Sequence, residues 1–336
     1  MSVRIGIIGP GGIGRAHIAR ISDRLARGRV VAVTDIDPAH AQRVAEPIGA
    51  AVYPDDAALI DADDVDAVMV TSFGPAHEGS VVRAIEAGKP VFCEKPLAPT
   101  AAECLRIMDA EQRGGRRLVQ VGFMRRYDAG YREIKATLER GELGAALIVH
   151  NRHHNPHSPQ TYLEGMSITD TAIHEIDVMR FLLGEEIVSA RVDKPKRTTS
   201  AFAHLSDPLM LVLRTASDVL IDVEIFVNNT YGYDIKCEVV GERGLIALSD
   251  QNATVRTSPT GRGNRIAADY NERFEAAFET ELQEWIDSVQ AGEIVGPTSW
   301  DGYAAAVVCD AGVRSLRAHG SQEFTVDLIE KPAFYA

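Results

Sequence analysis

The feature that most constrains this chain is a glycine-rich turn near its start, formed by Gly9, Gly11 and Gly14. An apolar, strand-like run at 3–8 precedes the turn, and a helix-forming stretch at 13–25 follows it. In that context the first glycine permits a tight turn, the second lets the backbone approach a diphosphate, and the third lets helix and strand pack closely. The helix N-terminus also favours negative charge. The turn therefore predicts the opening unit of a dinucleotide-binding sheet.

An acidic residue completes this pattern. Asp35 stands at the end of the second apolar run, 30–33, and 21 positions after Gly14. A carboxylate there can hold the ribose hydroxyls and repels a 2′-phosphate, and no arginine follows in the local sequence DIDP. The sequence therefore predicts NAD rather than NADP as the cofactor. The alternative is a chain of the same fold that no longer binds a nucleotide.

Short apolar runs alternate with helix-forming stretches through the first third of the chain. Strands are predicted at 3–8, 30–33, 51–53, 67–71, 90–93 and 118–122, with helices at 13–25, 38–48, 76–87 and 100–113. Strands separated by such helices join through right-handed crossovers into a parallel sheet covered on both faces. Residues 1–123 are therefore predicted to form a Rossmann domain, a doubly wound α/β sheet.

After residue 123 the pattern changes. A helix at 128–140 is followed by strands in which apolar and polar residues alternate, at 221–227 and 235–239, and by short strands at 245–248 and 323–326. Such alternation is typical of antiparallel strands with one buried face. Helices are predicted at 271–290 and 300–319. We therefore assign 124–336 to a second, α+β domain with a large, mostly antiparallel open sheet.

Composition narrows the possible partners. The formal net charge of −13 argues against nucleic acid or an anionic membrane surface as the main partner. The first residues lack the apolar core of a signal peptide, and no apolar run reaches the roughly 20 residues of a membrane span. Scattered cysteines without a C-x-x-C spacing favour reduced thiols in a cytoplasmic protein: Cys93, Cys104, Cys237 and Cys309.

Lys95 is the first candidate for chemistry. It lies in Glu94-Lys95-Pro96, at the carboxyl end of the predicted fifth strand, the edge where open α/β sheets bind ligands. A lysine there can hydrogen-bond a substrate hydroxyl and stabilise developing alkoxide charge. Position alone leaves a solvated surface lysine as an equal alternative.

The second candidate group is acidic and contains one histidine. Asp170 and His174 are spaced i, i+4 and Asp177 follows one turn later, so a regular helix would place all three on one face. A histidine beside carboxylates can take the proton of an alcohol as hydride leaves its carbon. The alternative is a helix-capping aspartate and a partly buried, satisfied histidine.

The third group is the histidine-rich run from His150 to His157, which also contains His153, His154 and Asn155. The apolar run at 145–149 before it predicts a strand, in which His153, Asn155 and His157 would face away from His150 and His154. They therefore do not converge on one ion without a bend. We expect no metal site, and we expect His153 and Asn155 to bind a polar substrate.

Taken together, these motifs resemble the Gfo/Idh/MocA oxidoreductases, and within that family they are most like those of the bacterial inositol dehydrogenases. The resemblance covers nearly the whole chain through seven segments in register: GPGGIG at 9–14, TSFGPAHE at 71–78, FCEKPL at 92–97, GFMRRYD at 122–128, DTAIHEID at 170–177, YGYDIKCEVVGE at 231–242 and GPTSWDGYAAA at 296–306.

The resemblance implies roles for individual residues. His174 would be the general base with Asp170 as its relay partner, and Lys95 would contact the reacting hydroxyl after a cis peptide bond at Pro96. The expected substrate contacts are Arg125, His153, Asn155, Thr171, Asp177 and Tyr233. The expected cofactor contacts are Gly9, Gly11, Gly12, Ile13, Gly14, Asp35, Ile36, Ser72, Phe73, His77, Glu94, Lys95 and Met124.

The resemblance also implies an activity: NAD-dependent oxidation of a cyclitol, above all of myo-inositol at its axial C2 hydroxyl, by a homotetramer assembled through sheet faces. Phe73, where relatives often carry tryptophan, and the loop at 154–167 depart from the family pattern. The alternatives are scyllo-inositol, D-chiro-inositol or an aldose such as glucose as substrate, a non-catalytic NAD-binding regulator, and a metallohydrolase that uses the histidine run.

Overall fold

A computed structural model describes residues 2–249, 255–318 and 321–336 of the chain. These residues form two compact units. The first unit comprises Met1–Phe123, Phe278–Ala306 and Ile329–Ala336, and the second comprises Met124–Ala277 and Val307–Leu328.

The first unit contains the predicted alternation of strands and helices. Its elements are β1 (Val3–Ile8), α1 (Gly12–Asp23), β2 (Gly28–Thr34), α2 (Pro38–Ala45), β3 (Ala51–Val52), α3 (Asp56–Asp61), β4 (Ala67–Val70), α4 (His77–Glu86), β5 (Val91–Glu94), α5 (Ala101–Gly114) and β6 (Val119–Gly122). The strands form one parallel sheet in the order β3-β2-β1-β4-β5-β6. This confirms the Rossmann prediction.

Two local features of this unit differ from the prediction. Helix α3 was not predicted, because its six residues are too few to show a helical period. Its N-cap is Asp55, whose side chain accepts a hydrogen bond from the Ala58 N–H. The helix predicted at 38–48 ends as α2 at Ala45 and continues as a 3-10 turn, Glu46–Ile48.

The chain returns to the first unit after residue 277: Phe278–Ala306 and Ile329–Ala336 group with it, whereas all of 124–336 was expected in the second domain. In this returning segment Leu282, Trp285 and Ile286 are fully buried in the same apolar core as Ile5 and Ile7 of β1. Spacing along a helix shows that it has an apolar face, but not which sheet that face covers.

The second unit is built on the expected open sheet. Its elements are α6 (Ala129–Glu139), β7 (Ala146–His154), α7 (Ile173–Leu183), β8 (Ile187–Asp193), β9 (Leu209–Thr215), β10 (Leu220–Phe226), β11 (Asp234–Gly241), β12 (Gly244–Ala247), β13 (Arg256–Ser258) and β14 (Gly261–Gly263). The chain closes with α8 (Tyr270–Ala291), α9 (Ser299–Arg317) and β15 (Glu323–Thr325). The predicted end of the last helix, His319, lies outside the described residues.

The sheet of this unit has seven strands in the order β12-β11-β7-β10-β9-β8-β15. Every neighbouring pair is antiparallel except β7 with β10. Along β9, β10 and β11 buried residues alternate with half-buried ones, as the period of two predicts. The fold class of the second unit is therefore as predicted, although β8 and β9 were missed.

The acidic segment was predicted as one regular helix, and this was wrong. Ser167–Ala172 is a π-helix, and the α-helix α7 begins only at Ile173. A π-helix closes its hydrogen bonds over one more residue than an α-helix, so the turn that carries Asp170 is wider than the regular helix expected there. Hydrogen bonds from the Thr169 hydroxyl to the Gly165 carbonyl and between the Thr171 and Tyr162 hydroxyls accompany this widened turn.

Among the described helices none is both long and apolar enough to cross a membrane.

Candidate functional site

The glycine turn has the geometry that a diphosphate site needs. Gly9 has a φ of +71°, and a Cβ on it would lie 2.5 Å from the Ser72 Cα. A Cβ on Gly14 would lie 2.4 Å from the Thr71 hydroxyl, which hydrogen-bonds the Gly9 carbonyl at 2.9 Å. Nothing lies within 4 Å of a Cβ built on Gly11 or Gly12. Packing therefore requires two of the glycines, and the others leave the start of α1 open to a ligand.

No side chain caps the N-terminus of α1 at Gly11. Its first-turn N–H groups, which include that of Ile13, therefore have no side-chain acceptor at the cap position. Backbone donors and the helix dipole at this end favour an anion such as a diphosphate.

The carboxyl end of β2 carries the acidic residue and an unusual apolar neighbour. Asp35 follows β2 directly and accepts a hydrogen bond from the Asp37 N–H at 2.9 Å. Ile36 has a fully exposed side chain, and Phe73, beyond the end of β4, is 79% exposed. Two apolar side chains exposed at the ligand-binding edge of the sheet fit the rings of a dinucleotide, which would cover them.

His77 joins two loops at this edge. It is buried at the start of α4, with Nδ1 2.8 Å from the Pro96 carbonyl oxygen and Nε2 2.9 Å from the Ser72 carbonyl oxygen. Since both ring nitrogens face the backbone, the structure supports a role in holding these loops rather than a direct polar contact to a ligand.

Glu94 and Lys95 sit at the end of β5, and the Lys95–Pro96 peptide bond is cis, as the resemblance implied. One oxygen of Glu94 lies 2.7 Å from His17 Nε2, and the other accepts the Lys95 N–H at 3.1 Å. Arg20, a donor only, lies 3.1 Å from His17 Nδ1, so Nε2 is the nitrogen that donates to Glu94. Sequence reasoning missed His17, whose i, i+3 spacing to Arg20 was the available signal.

In the second unit two consecutive arginines each bind an acid of α7. Arg125 pairs with Glu175, and both side chains are at most 1% exposed. Arg126 donates two hydrogen bonds to the Asp177 carboxylate, one of 2.9 Å from Nε and one of 2.5 Å from Nη2. Arg125 and Asp177 were predicted to contact substrate, and the structure gives each an ionic partner, buried for Arg125 and half-buried for Asp177.

His153 lies beside the first of these pairs, on the inner face of β7. Its Nδ1 is 2.9 Å from Glu175 Oε2 and 3.0 Å from Arg125 Nη2, and its Nε2 is 3.4 Å from the Tyr233 hydroxyl. Its ring centroid is 6.2 Å from that of His174. The structure thus brings together four predicted residues with Glu175, which no motif had singled out.

The charges in this cluster follow from its burial. Burial by itself would raise the pKa of Glu175, but the adjacent Arg125 and His153 hold that pKa below its usual value. Burial raises the pKa of Tyr233 to about 12. The cluster therefore contains a carboxylate, a guanidinium and a neutral phenol.

The remaining predicted residues lie in the same unit. His174 and Thr171 are buried and Asp170 is half-buried, and the Thr171 hydroxyl is 2.6 Å from that of Tyr162. Asn155 follows β7 and hydrogen-bonds Phe226 and Asn229 through its backbone. Met124, predicted to contact the cofactor, is buried at the start of the 3-10 turn Met124–Tyr127.

The histidine run does divide between the two faces of β7, as the period of two predicts. His153 is buried on the inner face, whereas His150 pairs with Asp222 and His154 with Glu224 on the other. Within the described ranges, no three histidine, cysteine or acidic side chains are grouped so that they could hold a metal ion.

Two family models match this chain. Residues 3–123 match the model described as "Oxidoreductase family, NAD-binding Rossmann fold", and residues 135–323 match "Oxidoreductase family, C-terminal alpha/beta domain". Both belong to GFO_IDH_MocA.

Individual proteins resemble the chain over its whole length. It is 51% identical to the inositol 2-dehydrogenase of Ralstonia nicotianae, covering 100% of this chain and 99% of the relative. It is also 51% identical to inositol 2-dehydrogenase 3 of Saccharopolyspora erythraea, covering 100% and 98%. A crystal structure of myo-inositol dehydrogenase from Lactobacillus casei with NAD(H) and myo-inositol matches with a TM-score of 0.97 and 40% identity, covering 100% of both chains.

Proposed function

Because the chain belongs to the GFO_IDH_MocA family of oxidoreductases, we propose that it is an NAD-dependent inositol dehydrogenase that oxidises myo-inositol at its axial C2 hydroxyl to 2-keto-myo-inositol. The observation that carries the proposal is the full-length similarity to a protein crystallised with NAD(H) and myo-inositol. The buried polar cluster of the second unit supports it, since a polyol requires many hydrogen-bonding side chains.

The first unit holds the cofactor in this proposal. The N–H groups at the start of α1 and the open backbone at Gly11 and Gly12 bind the diphosphate, and Asp35 accepts hydrogen bonds from the ribose. Ile36 and Phe73 pack against the rings of the dinucleotide. NAD, when bound, supplies a hydride acceptor.

The acid–base work falls to three residues. His174 takes the proton of the reacting hydroxyl and passes it on through Asp170, while the Lys95 ammonium hydrogen-bonds the hydroxyl oxygen and stabilises its developing negative charge. Glu94 supports Lys95 by binding its backbone N–H.

The other hydroxyls of the ring bind to the predicted polar set, Arg125, His153, Asn155, Thr171, Asp177 and Tyr233. Arg125 and Asp177 would do so from within their ion pairs, which hold them in place. A buried polar group left unpaired by the wrong epimer costs free energy, so discrimination between epimers should be sharp.

A panel of polyols tests this proposal. With NAD in excess, we expect kcat/KM, followed by NADH absorbance, to be highest for myo-inositol and lower for scyllo-inositol, D-chiro-inositol and glucose. A higher value for one of these would transfer the assignment to that substrate. NAD binding, measured by calorimetry, without turnover of any polyol would favour a regulator and contradict the enzyme.

The cofactor preference gives a second prediction. Replacing Asp35 by serine removes the charge that repels a 2′-phosphate, so the ratio of kcat/KM for NAD to that for NADP should fall by roughly tenfold or more, the effect of one charged hydrogen bond. Asp37→Ser is the matched control, because serine keeps the N-cap of α2 and should leave the ratio unchanged. An unchanged ratio in Asp35→Ser would show that Asp35 does not distinguish the ribose of NAD from that of NADP.

We further propose that the protein is a cytoplasmic homotetramer assembled through faces of the seven-stranded sheet. The four cysteines are all buried free thiols, which suits a reducing compartment. Half-buried residues on the outward side of β9 and β10, such as Met210, Val212 and Phe226, offer apolar area for association. Sedimentation equilibrium tests the oligomeric state, and a stable monomer would contradict this part of the proposal.

A further inference from the structure

The Glu175 carboxylate belongs to a connected chain of buried polar side chains in the second unit. Arg125, His153, Glu175 and Tyr233 are each at most 4% exposed. Arg125 donates to Glu175 Oε1, Glu175 Oε2 lies 2.9 Å from His153 Nδ1, and His153 Nε2 lies 3.4 Å from the Tyr233 hydroxyl.

Two atoms compete for the Nδ1 position of His153. Glu175 Oε2 only accepts, whereas Arg125 Nη2 only donates, and the two lie 2.9 and 3.0 Å from Nδ1. If Nδ1 carries the proton it satisfies Glu175, and if Nδ1 is bare it satisfies Arg125. The protonation of this one nitrogen therefore depends on which partner has fewer alternatives.

Arg125 has the larger number of other partners. Its guanidinium donates to Glu175 Oε1 and to the Tyr131 hydroxyl, the latter at 3.4 Å, and its Cζ lies 5.4 Å from the ring centre of Phe274. Among the described residues, the only donor on Glu175 Oε2 is His153 Nδ1. A bare Nδ1 would leave a fully buried carboxylate oxygen without a donor, which costs more than a lengthened contact to one guanidinium nitrogen.

The other ring nitrogen is then an acceptor. A neutral imidazole with its proton on Nδ1 has a lone pair on Nε2. The Tyr233 hydroxyl lies 3.4 Å from Nε2 and can donate to this lone pair. Nε2 is thus the nitrogen of His153 that can accept a hydrogen bond from a hydroxyl.

We propose that Glu175 is a positioning residue that holds His153 with its proton on Nδ1, so that His153 Nε2 accepts a hydrogen bond from a substrate hydroxyl. The proposal rests on the proposed function for the identity of that substrate. Glu175 also follows His174 directly in α7, and so it ties the helix that carries the proposed base to β7 and to the turn that carries Arg125.

The substitution Glu175→Gln tests which nitrogen of His153 carries the proton. The glutamine oxygen would turn to the charged donor Arg125 and its NH₂ group would face His153 Nδ1, which must then accept. The proton of His153 would therefore move to Nε2. The substrate hydroxyl would meet a donor where the wild type presents an acceptor.

The first test is spectroscopic and uses the unmodified protein. In protein labelled with ¹⁵N-histidine, with the His153 signals identified by their loss in His153→Gln, we expect a protonated Nδ1 and an unprotonated Nε2 at neutral pH. Glu175→Gln should exchange these two assignments, and Glu175→Asp, which keeps the carboxylate, should retain those of the wild type. A protonated Nε2 in the wild type, or unchanged assignments in Glu175→Gln, would overturn the proposal.

The second test is kinetic. Glu175→Gln should raise KM for myo-inositol by about tenfold, the effect of one buried hydrogen bond, and leave KM for NAD within about twofold of the wild type. Glu186→Gln is the matched control. It removes the acidic partner of Arg180, which lies on the same helix as Glu175 but outside the cluster, so it should change neither constant. Equal rises in both constants would indicate a merely structural role and contradict the proposal.

The two tests separate this proposal from the proposed function. If no polyol is oxidised, the spectroscopic test still reads the proton of His153, because it needs no substrate. If Glu175→Gln does not fold, the wild-type spectrum alone still decides between Nδ1 and Nε2. If myo-inositol is oxidised and the His153 proton is on Nε2, the proposed function is supported and the positioning role of Glu175 is contradicted.

Discussion

Replacing His174 by alanine is expected to lower kcat for myo-inositol by roughly 10²–10⁴-fold, the contribution of one acid–base group. His174 is buried within 6.2 Å of His153, centroid to centroid, and is the residue to which the proposal gives the proton of the reacting hydroxyl. Without an imidazole at that position, a water molecule must take the proton. Steady-state kinetics with saturating NAD measures the effect.

The control for this variant is cofactor binding. The nucleotide site lies in the first unit and His174 in the second, so the dissociation constant for NAD should stay within about twofold of the wild-type value, a difference below about 0.5 kcal/mol. Turnover close to that of the wild type would remove His174 from the mechanism. A large loss of NAD affinity would show that the variant had damaged the fold.

Replacing Arg125 by methionine is expected to lower the free energy of unfolding by about 3–5 kcal/mol, because the fully buried Glu175 carboxylate would lose its guanidinium. Methionine fills much of the same volume, so lost packing is a small part of the effect. Urea-induced unfolding followed by fluorescence measures the difference from the wild type.

The same variant should reverse the pH dependence that Glu175 contributes. In the wild type the pKa of Glu175 lies below its usual value, so the stability it contributes is present above the unfolded pKa and is lost as pH falls. Without Arg125, burial raises that pKa, and the stability is then present at low pH and lost as pH rises. The deficit of Arg125→Met should therefore be smaller at pH 5 than at pH 8.

Arg214→Met is the control for the loss of an ion pair as such. Arg214 pairs with Asp218 at the surface, where the two side chains are 43% and 81% exposed, so its loss should change stability by less than about 1 kcal/mol at either pH. A deficit in Arg125→Met that does not change with pH would contradict the assignment of an ionised Glu175.

The first unit could be predicted closely because its signals are local. The glycine turn and Asp35 lie within one strand–helix–strand unit, β1–α1–β2, and the parallel sheet follows from the lengths of the connecting helices. Short elements were not predicted, because a six-residue helix such as α3 does not complete two turns and shows no helical period in the sequence.

The candidate site was predicted in part. Arg125, His153 and Tyr233 were all singled out, yet Glu175, the common partner of Arg125 and His153, was not, because no local pattern distinguishes it from a surface glutamate. The helix through Asp170 and His174 was predicted, but its first, π-helical turn, Ser167–Ala172, was not, for a related reason. This turn is accompanied by a hydrogen bond between the hydroxyls of Thr171 and Tyr162, and Tyr162 lies outside the helix.

The sequence alone thus identified a nucleotide-binding sheet and its cofactor. The glycine turn and Asp35 carry that information because their chemistry depends on spacing within one unit, from β1 through α1 to the end of β2. Only the tertiary structure decided that the segment at 278–306 returns to that sheet, and that Glu175 lies between Arg125 and His153. Burial removes water from that carboxylate, so its charge is tolerated only where partners distant in sequence meet it. Those meetings depend on packing, which no short stretch of sequence encodes.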